Sequence, residues 1–260
     1  MLFRTFQSPR VVLITGASGA IGSALAREYA RPGRVLILQG RKAEQLEMLA
    51  ASCRAKGAEV RLWRVDLRDI DAIHQWMAGP GKECPPDLLI ANAGRNTHVG
   101  PEGEAEPWDE VEALLDVNLR SVMALVHGVL PTMRVRGQGQ IALLSSLAGY
   151  FGLPLTPAYS ASKAAVKAYG EALRGWLGPE GIGVSVIMPG YVASPMCDDM
   201  PGPKPFLWQP ERAARVIARG LARNRARIVF PRLLAWGCWW LAVLPPALSC
   251  RILRWLDFRV

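Results

Sequence analysis

Tyr159 and Lys163 stand four residues apart in the run AYSASKAAV. On a helix that spacing puts a phenol and an ammonium on one face, about 6 Å apart at Cβ. A free tyrosine has a pKa of about 10 and is a poor base at neutral pH. A neighbouring ammonium stabilises the phenolate, so the pair is suited to exchange a proton with a substrate oxygen. Ser146 lies thirteen residues before Tyr159 at the end of an apolar run, where its hydroxyl can bond the same oxygen. Any solvated helix can carry Y-x-x-x-K, so this chemistry depends on the elements that hold the residues.

Those elements are legible as alternating runs. VVLIT (11–15), RVLILQ (34–39), EVRLWR (59–64), DLLIAN (87–92), IALLSS (141–146) and VSVIMP (184–189) read as strands. Between them lie segments with apolar residues at helical spacing, such as AIGSALAREYA and KAEQLEMLAASCRAK. Continuous apolar strands separated by helices predict a parallel sheet covered on both faces. Right-handed crossovers then favour a doubly wound, Rossmann-type α/β sheet with ligands at the carboxyl ends of its strands. A Pro-rich stretch at 195–210 interrupts the pattern, after which ERAARVIARGLARN and RIVFP add a helix and a seventh strand. With no repeat and no long linker, one catalytic domain over 1–230 is expected, followed by a helical extension over 231–260.

The chain has 260 residues, half of them hydrophobic and a fifth charged, enough to bury such a sheet. Its five cysteines and three histidines form neither C-x-x-C pairs nor a cluster, so neither a disulfide framework nor a metal site is expected. MLFRTFQSPR lacks the apolar run of a secretory signal, and a cytoplasmic location is expected. The net charge of +9 is confined to one end: residues 1–203 balance, whereas 204–260 carry 11 basic residues against Glu211 and Asp257. A neutral body with a basic, Trp-rich end argues for an anionic membrane surface and against nucleic acid as partner.

The first strand runs into TGASGAIG (15–22), with glycines at 16, 19 and 22. A strand, a glycine-rich turn and a helix amino terminus make a cradle for pyrophosphate, because free N–H groups and the helix dipole favour negative charge. The run does not fit G-x-G-x-x-G. The second strand ends LILQGRK, with Gly40 where an NAD site keeps an acid, and Arg41 and Lys42 next. An acid there would repel a ribose 2′-phosphate, and a guanidinium can bind one bidentately, so NADP(H) is expected.

Together these motifs resemble the short-chain dehydrogenase/reductase family, in the family's order over roughly residues 8–230. TGASGAIG is similar to its T-G-x-x-x-G-x-G turn, with Ala20 in place of the middle glycine. The resemblance implies that Gly16, Ser18, Gly19 and Ile21 hold the dinucleotide, with Arg41 at the ribose and Asp66 of VDL at the adenine. It implies further cofactor contacts from Asn92-Ala93-Gly94 at the end of the fourth strand. Pro189, Gly190, Val192 and Ser194 resemble P-G-x-V-x-T, with serine keeping the hydroxyl for the nicotinamide amide. Ser146, Tyr159 and Lys163 keep the family's spacing, which argues against Ser145. By the same resemblance Tyr159 is the acid/base, Ser146 orients the carbonyl or alcohol, Lys163 holds the nicotinamide ribose and Asn118 of DVNL supports a proton relay.

Residues 191–210 are expected to form a mobile lid offering Met196, Met200, Phe206, Leu207 and Trp208, opposite Phe151, Leu153 and Leu155. Such linings suit a lipophilic alcohol or ketone, though lid-to-core packing uses the same residue types. The stretch Leu233–Leu244 is too short to span a bilayer and Pro245-Pro246 break it. Its tryptophans and flanking arginines, with Arg212, Arg215, Arg219 and Arg223 upstream, suit a peripheral membrane contact. A homodimer contact is the other use for such a tail. Two classes of function follow: an NADP(H)-dependent reductase or dehydrogenase of a lipophilic carbonyl or alcohol, and a non-catalytic NADP-binding module recruited through its tail.

Overall fold

In the computed structural model, which describes residues 8–200 and 202–256, Val12–Ile14 and Leu36–Leu38 are buried at every position. Side chains along a strand point alternately to the two faces of the sheet, so an unbroken apolar run requires cover on both. Leu13, Ile37, Leu89, Ile141 and Leu143 pack on one side, and Val12, Ile14, Leu36, Leu38, Ile90 and Ala142 on the other.

The strands are β1 (Val11–Ile14), β2 (Val35–Gly40), β3 (Glu59–Arg64), β4 (Leu88–Ala91), β5 (Gly139–Leu144), β6 (Ile182–Pro189) and β7 (Arg227–Phe230). They form one parallel sheet in the order β3-β2-β1-β4-β5-β6-β7. The order reverses between β1 and β4, where a crevice opens at the carboxyl ends. The helices are α1 (Ala20–Tyr29), α2 (Ala43–Arg54), α3 (Ile70–Ala78), α4 (Pro80–Glu83), α5 (Trp108–Leu115), α6 (Ser121–Arg136), α7 (Pro157–Leu177), α8 (Pro195–Asp198), α9 (Pro210–Ala222), α10 (Arg232–Val243) and α11 (Pro246–Trp255). Buried residues of α1, α2 and α9 cover one face, and those of α3, α6 and α7 the other.

Four local features differ from the sequence expectation. Between α5 and α6 the backbone makes a π-helical turn, Asp116–Arg120, which no periodicity announces. β4 ends at Ala91 and β5 at Leu144, so Asn92, Ser145 and Ser146 lie just past the strands, where Asn92 bonds the glycine turn. Trp208 is not a free wall of a lid. It pairs by backbone with residues 191–193 and stacks on Phe230, closing the segment 194–207 at its base. Pro201 of that segment lies outside the described residues.

The fourth feature is the tail. Ala235, Leu234 and Cys238 of α10 pack on Leu147, Val186 and Met188, making a small third core beyond β6. Pro246 starts α11, which folds back so that Ser249 Oγ donates to the Leu241 carbonyl at 2.8 Å. Residues 257–260 of the tail lie outside the described residues, as do residues 1–7 of the segment read for a leader.

Candidate active site

The glycine turn is held from beneath by β4. Thr15 Oγ1 accepts from the backbone N–H of Asn92 at 3.0 Å and of Ala93 at 3.1 Å. Asn92 Nδ2 donates to the carbonyls of Thr15 at 2.9 Å and Gly16 at 3.2 Å. Gly16 has φ +60°, and a Cβ there would lie 2.8 Å from the Ala93 Cα. Glycine is required at that position by both backbone sign and space. Gly19 precedes α1 at φ −75°, and Ala20 is already helical, so no glycine is needed at 20. Ser18 and Ile21 are half-buried beside them.

No side chain caps α1 and its first turn carries no acid. Its free amide N–H groups and dipole therefore suit the negative charge of a pyrophosphate. At Gly22 a Cβ would come within 2.3 Å of the Gly16 carbonyl oxygen, a backbone atom that cannot swing aside. Gly22→Ala is accordingly expected to displace the turn, costing about 1–3 kcal/mol of stability. Thermal unfolding and dinucleotide titration check this, and unchanged values for both would show that the turn can yield.

At the end of β2, Gln39 is a positioning residue that the sequence reading passed over. It is 2% exposed, accepts from Gly16 N at 2.9 Å and donates to the Val65 carbonyl at 2.8 Å. It ties the turn to the end of β3. Arg41 is exposed, with Nη1 3.7 Å from Asp66 Oδ2. Arg68, also not anticipated, grips Asp66 more closely, with Nη2 2.8 Å and Nε 3.1 Å from Oδ2. Arg68 holds the Asp66 carboxyl below the usual carboxylate range, and Arg41 adds to the effect. Two guanidiniums thus flank the Asp66 carboxylate, where only Arg41 was expected.

The residues expected to handle the proton converge at the carboxyl end of β5. Ser146 Oγ accepts from Ala148 N at 3.2 Å, and its hydroxyl beside the Tyr159 phenol favours the phenolate. Ser145, by contrast, is buried and donates to the Lys163 carbonyl at 2.7 Å, which locks it into the scaffold. Lys163 is 4% exposed, its Nζ donating to the Leu144 carbonyl at 2.9 Å and lying 5.5 Å from the centroid of the Tyr159 ring. Asn118, on the π-helical turn, is buried: Oδ1 accepts from Arg95 N at 2.8 Å, and Nδ2 donates to the Arg95 carbonyl and to Ser162 Oγ, both at 3.0 Å. It joins the loop after β4 to α7. Gly94 is the meeting point, since a Cβ there would be 3.4 Å from both Asn118 Oδ1 and Lys163 Nζ.

Burial acts on both ionisable groups of the pair. Burial pushes the Tyr159 phenol above its ordinary value, opposed by the Ser146 hydrogen bond. Burial also pulls Lys163 down to about 8. Both groups have lost water, so each is driven toward its neutral form. A second phenol, Tyr191, is also pushed up by burial, in the electrostatic neighbourhood of Cys238, Cys197 and Tyr159. It occupies the variable position of the P-G-x-V run, so nothing in the sequence marked it.

Pro189, the last residue of β6, is buried, and Gly190 N donates to the Phe230 carbonyl at 2.7 Å. A Cβ at Gly190 would meet Leu234 of α10 at 3.0 Å, so the tail reaches the floor of the site. Val192 is buried, and Ser194 caps α8, accepting from Cys197 N at 3.1 Å and donating to the Val192 carbonyl at 3.2 Å. On the other side, Phe151 and Leu153 border a hollow of about 430 Å³ with Ala161 and Ala164, on a flank of α7 turned from Tyr159. Leu155 is buried and does not reach it. Among the described residues no cluster of histidine, cysteine or acidic side chains could hold a metal ion.

Sheet order, switch-point crevice and glycine turn make this a Rossmann-type α/β protein. The short chain dehydrogenase family model matches residues 10–202. An uncharacterized oxidoreductase of Myxococcus xanthus is 36% identical over 231 residues, covering 88% of this chain and 90% of that one. An 11-beta-hydroxysteroid dehydrogenase-like 2 of Arabidopsis thaliana is 31% identical over 241 residues, 87% of this chain and 75% of that one. Among solved structures, a short-chain dehydrogenase from Sphingobium yanoikuyae in complex with NADPH superposes with a TM-score of 0.77 at 26% identity, covering 87% of this chain and 92% of that one. The chain belongs to the short-chain dehydrogenase/reductase family of oxidoreductases.

Proposed function

We propose that this chain is an NADP(H)-dependent reductase or dehydrogenase that interconverts a carbonyl and an alcohol on a lipophilic substrate, with Tyr159 as acid/base. The observation that carries the reading is the convergence at the end of β5 of Ser146, Tyr159 and a buried Lys163, whose Nζ lies 5.5 Å from the Tyr159 ring centroid. The glycine turn and the uncapped start of α1 fit the pyrophosphate, Arg41 and Asp66 fit the adenosine end, and Asn92, Ala93 and Gly94 lie between. Pro189, Gly190, Val192 and Ser194 border the nicotinamide end. A dinucleotide held by these residues would supply or accept the hydride.

The chain's own residues handle the proton. Ser146 holds the substrate oxygen, and Tyr159, kept protonated at neutral pH by burial, donates to that oxygen as the carbonyl becomes an alcohol. Lys163 and Asn118 hold the path by which the phenol is reprotonated, with Leu144 and Arg95 fixing their orientation. In the oxidative direction the same groups work in reverse. Buried apolar surface around the site, including Leu147, Val192 and the inner side of α10, supports a lipophilic substrate, as does likeness to a hydroxysteroid dehydrogenase-like protein.

Oxidation of NADPH against a panel of hydrophobic ketones and aldehydes tests the reading. NADPH is expected to be used in preference to NADH, and Arg41→Ala to erode that preference by about tenfold, the lower end of the roughly 1.5–3 kcal/mol of a charge-assisted contact because Arg41 is exposed. NADPH binding without turnover on any member of the panel would favour the non-catalytic module instead.

A further inference from the structure

The carboxyl end of β7 is the open edge of the sheet, and a hollow of about 630 Å³ lies against it. Phe206, Leu207, Trp208, Phe230 and Leu233 give it apolar walls, and Arg212, Arg225 and Arg232 stand around it. Among the described residues no carboxylate pairs with any of the three arginines. Arg212 stacks over the Trp208 ring at 3.9 Å, which fixes its side chain at the rim. Phe206 holds φ +58°, a conformation rare for a bulky side chain, and is 53% exposed. Its backbone strain accompanies an aromatic ring held out at the surface.

The same apolar surface continues along α10. Leu233, Trp236, Trp240 and Val243 recur at helical spacing on its outer side and are 43–66% exposed, with Trp239 beside them. The inner side of this helix is core. A 12-residue helix is about 18 Å long, short of the roughly 30 Å needed to cross a bilayer, so its outer side suits the headgroup layer. Arg215 and Arg219 on α9 and Arg223 just after it are exposed and continue the charge from Arg212. Residues 204–260 carry 11 basic side chains against two acidic ones, which sets the sign of the partner.

We propose that this edge docks on a bilayer rich in acidic phospholipid, with a lipid phosphate seated among Arg212, Arg225 and Arg232 and the α10 tryptophans in the headgroup layer. Guanidiniums bind phosphate oxygens by paired hydrogen bonds, and tryptophan prefers the boundary between hydrocarbon and water. Docking would place the bilayer and the floor of the catalytic site, at Gly190 and Leu147, on opposite sides of one helix. The proposal concerns binding alone and stands or falls apart from the reaction above.

The test is co-sedimentation of the full chain with vesicles of phosphatidylcholine alone and of an equimolar mixture with phosphatidylglycerol, at about 0.1 M salt. Binding to the acidic vesicles is expected to be at least about tenfold stronger, since each basic residue near such a surface contributes roughly fivefold. R225E/R232E is expected to remove that excess, and W236A/W240A to weaken binding to both vesicles. All four positions are exposed, and thermal unfolding and NADPH binding check that the variants are intact. Should the charge reversal unsettle the fold, R225Q/R232Q is expected to lose about 25-fold in affinity for the acidic vesicles. Equal sedimentation of the parent with both vesicles, or of the arginine variants and parent with the acidic ones, would overturn the proposal. So would a chain that ignores vesicles but forms a dimer that W236A/W240A dissociates, because the face would then close on a second copy.

Discussion

Tyr159→Phe is expected to lower kcat for carbonyl reduction by about 10²–10⁴-fold, the range for losing a positioned general acid. The ring and its stacking over Lys163 survive in the variant, so NADPH affinity should stay near that of the parent. Only the hydroxyl that Ser146 contacts is removed. Single-turnover reduction and an independent NADPH titration separate the two quantities. Because burial keeps the phenol protonated past its ordinary pKa, reduction should hold through neutral pH and decline only on the alkaline side. Oxidation, which needs the phenolate, should rise over that same alkaline range. Turnover by Tyr159→Phe at the parent's rate would remove Tyr159 from the chemistry.

Lys163→Met is expected to abolish useful turnover and, in the same protein, to raise thermal stability at pH 7. The lysine is 4% exposed and its pKa falls from 10.5 to about 8 on burial. At pH 7 folding must desolvate an ammonium, a penalty of about 3 kcal/mol at 1.36 kcal/mol per pKa unit. Methionine removes that penalty but leaves the Leu144 carbonyl without its donor, which costs about 1–3 kcal/mol. The net gain should be about 1 kcal/mol, or roughly 2–4 °C in Tm.

The sign with pH is also fixed. Below pH 8 the folded and unfolded parent chains are both protonated at this lysine, and the penalty is constant. Between about 8 and 10.5 the unfolded chain binds a proton that the folded chain has released, so parent stability rises with pH. The variant lacks that rise, so its advantage of about 1 kcal/mol should be cancelled at about pH 9 and reversed above it. Unfolding midpoints from pH 7 to 11 measure it, and a parent with no gain across that window would show that Lys163 is not charged at a cost.

Strands, helices and the glycine turn were legible because their signals are local. A continuous apolar run in β2 has only one stable use, a strand covered on both faces, and Gly16 must be glycine because of its own φ. Ser146 was separable from Ser145 by counting to Tyr159, and the structure places Ser145 in the scaffold. The tail was legible as apolar, basic and broken at Pro245-Pro246, and α10 and α11 meet there.

The destinations of long polar side chains were not legible. Asn92 reaches Thr15 and Gly16 across 77 and 76 residues, and Gln39 reaches back 23 residues to the turn. Arg68 follows Asp66 by two, a spacing without meaning until the loop after β3 folds around the carboxylate. Trp208 looked like a lid residue and became the anchor of its loop, since Phe230 of the last strand offered a face to stack on.

By itself, then, the sequence determined the layered sheet, the dinucleotide turn and the Ser146–Tyr159–Lys163 spacing, all governed by periodicity and steric limits within a few residues. Tertiary structure alone decided that Asn118 sits on a π-helical turn facing Ser162, that burial opposes ionisation of both Tyr159 and Lys163, and that α10 closes the floor beside Gly190. These depend on which distant groups exclude water from one another, and no local pattern records that.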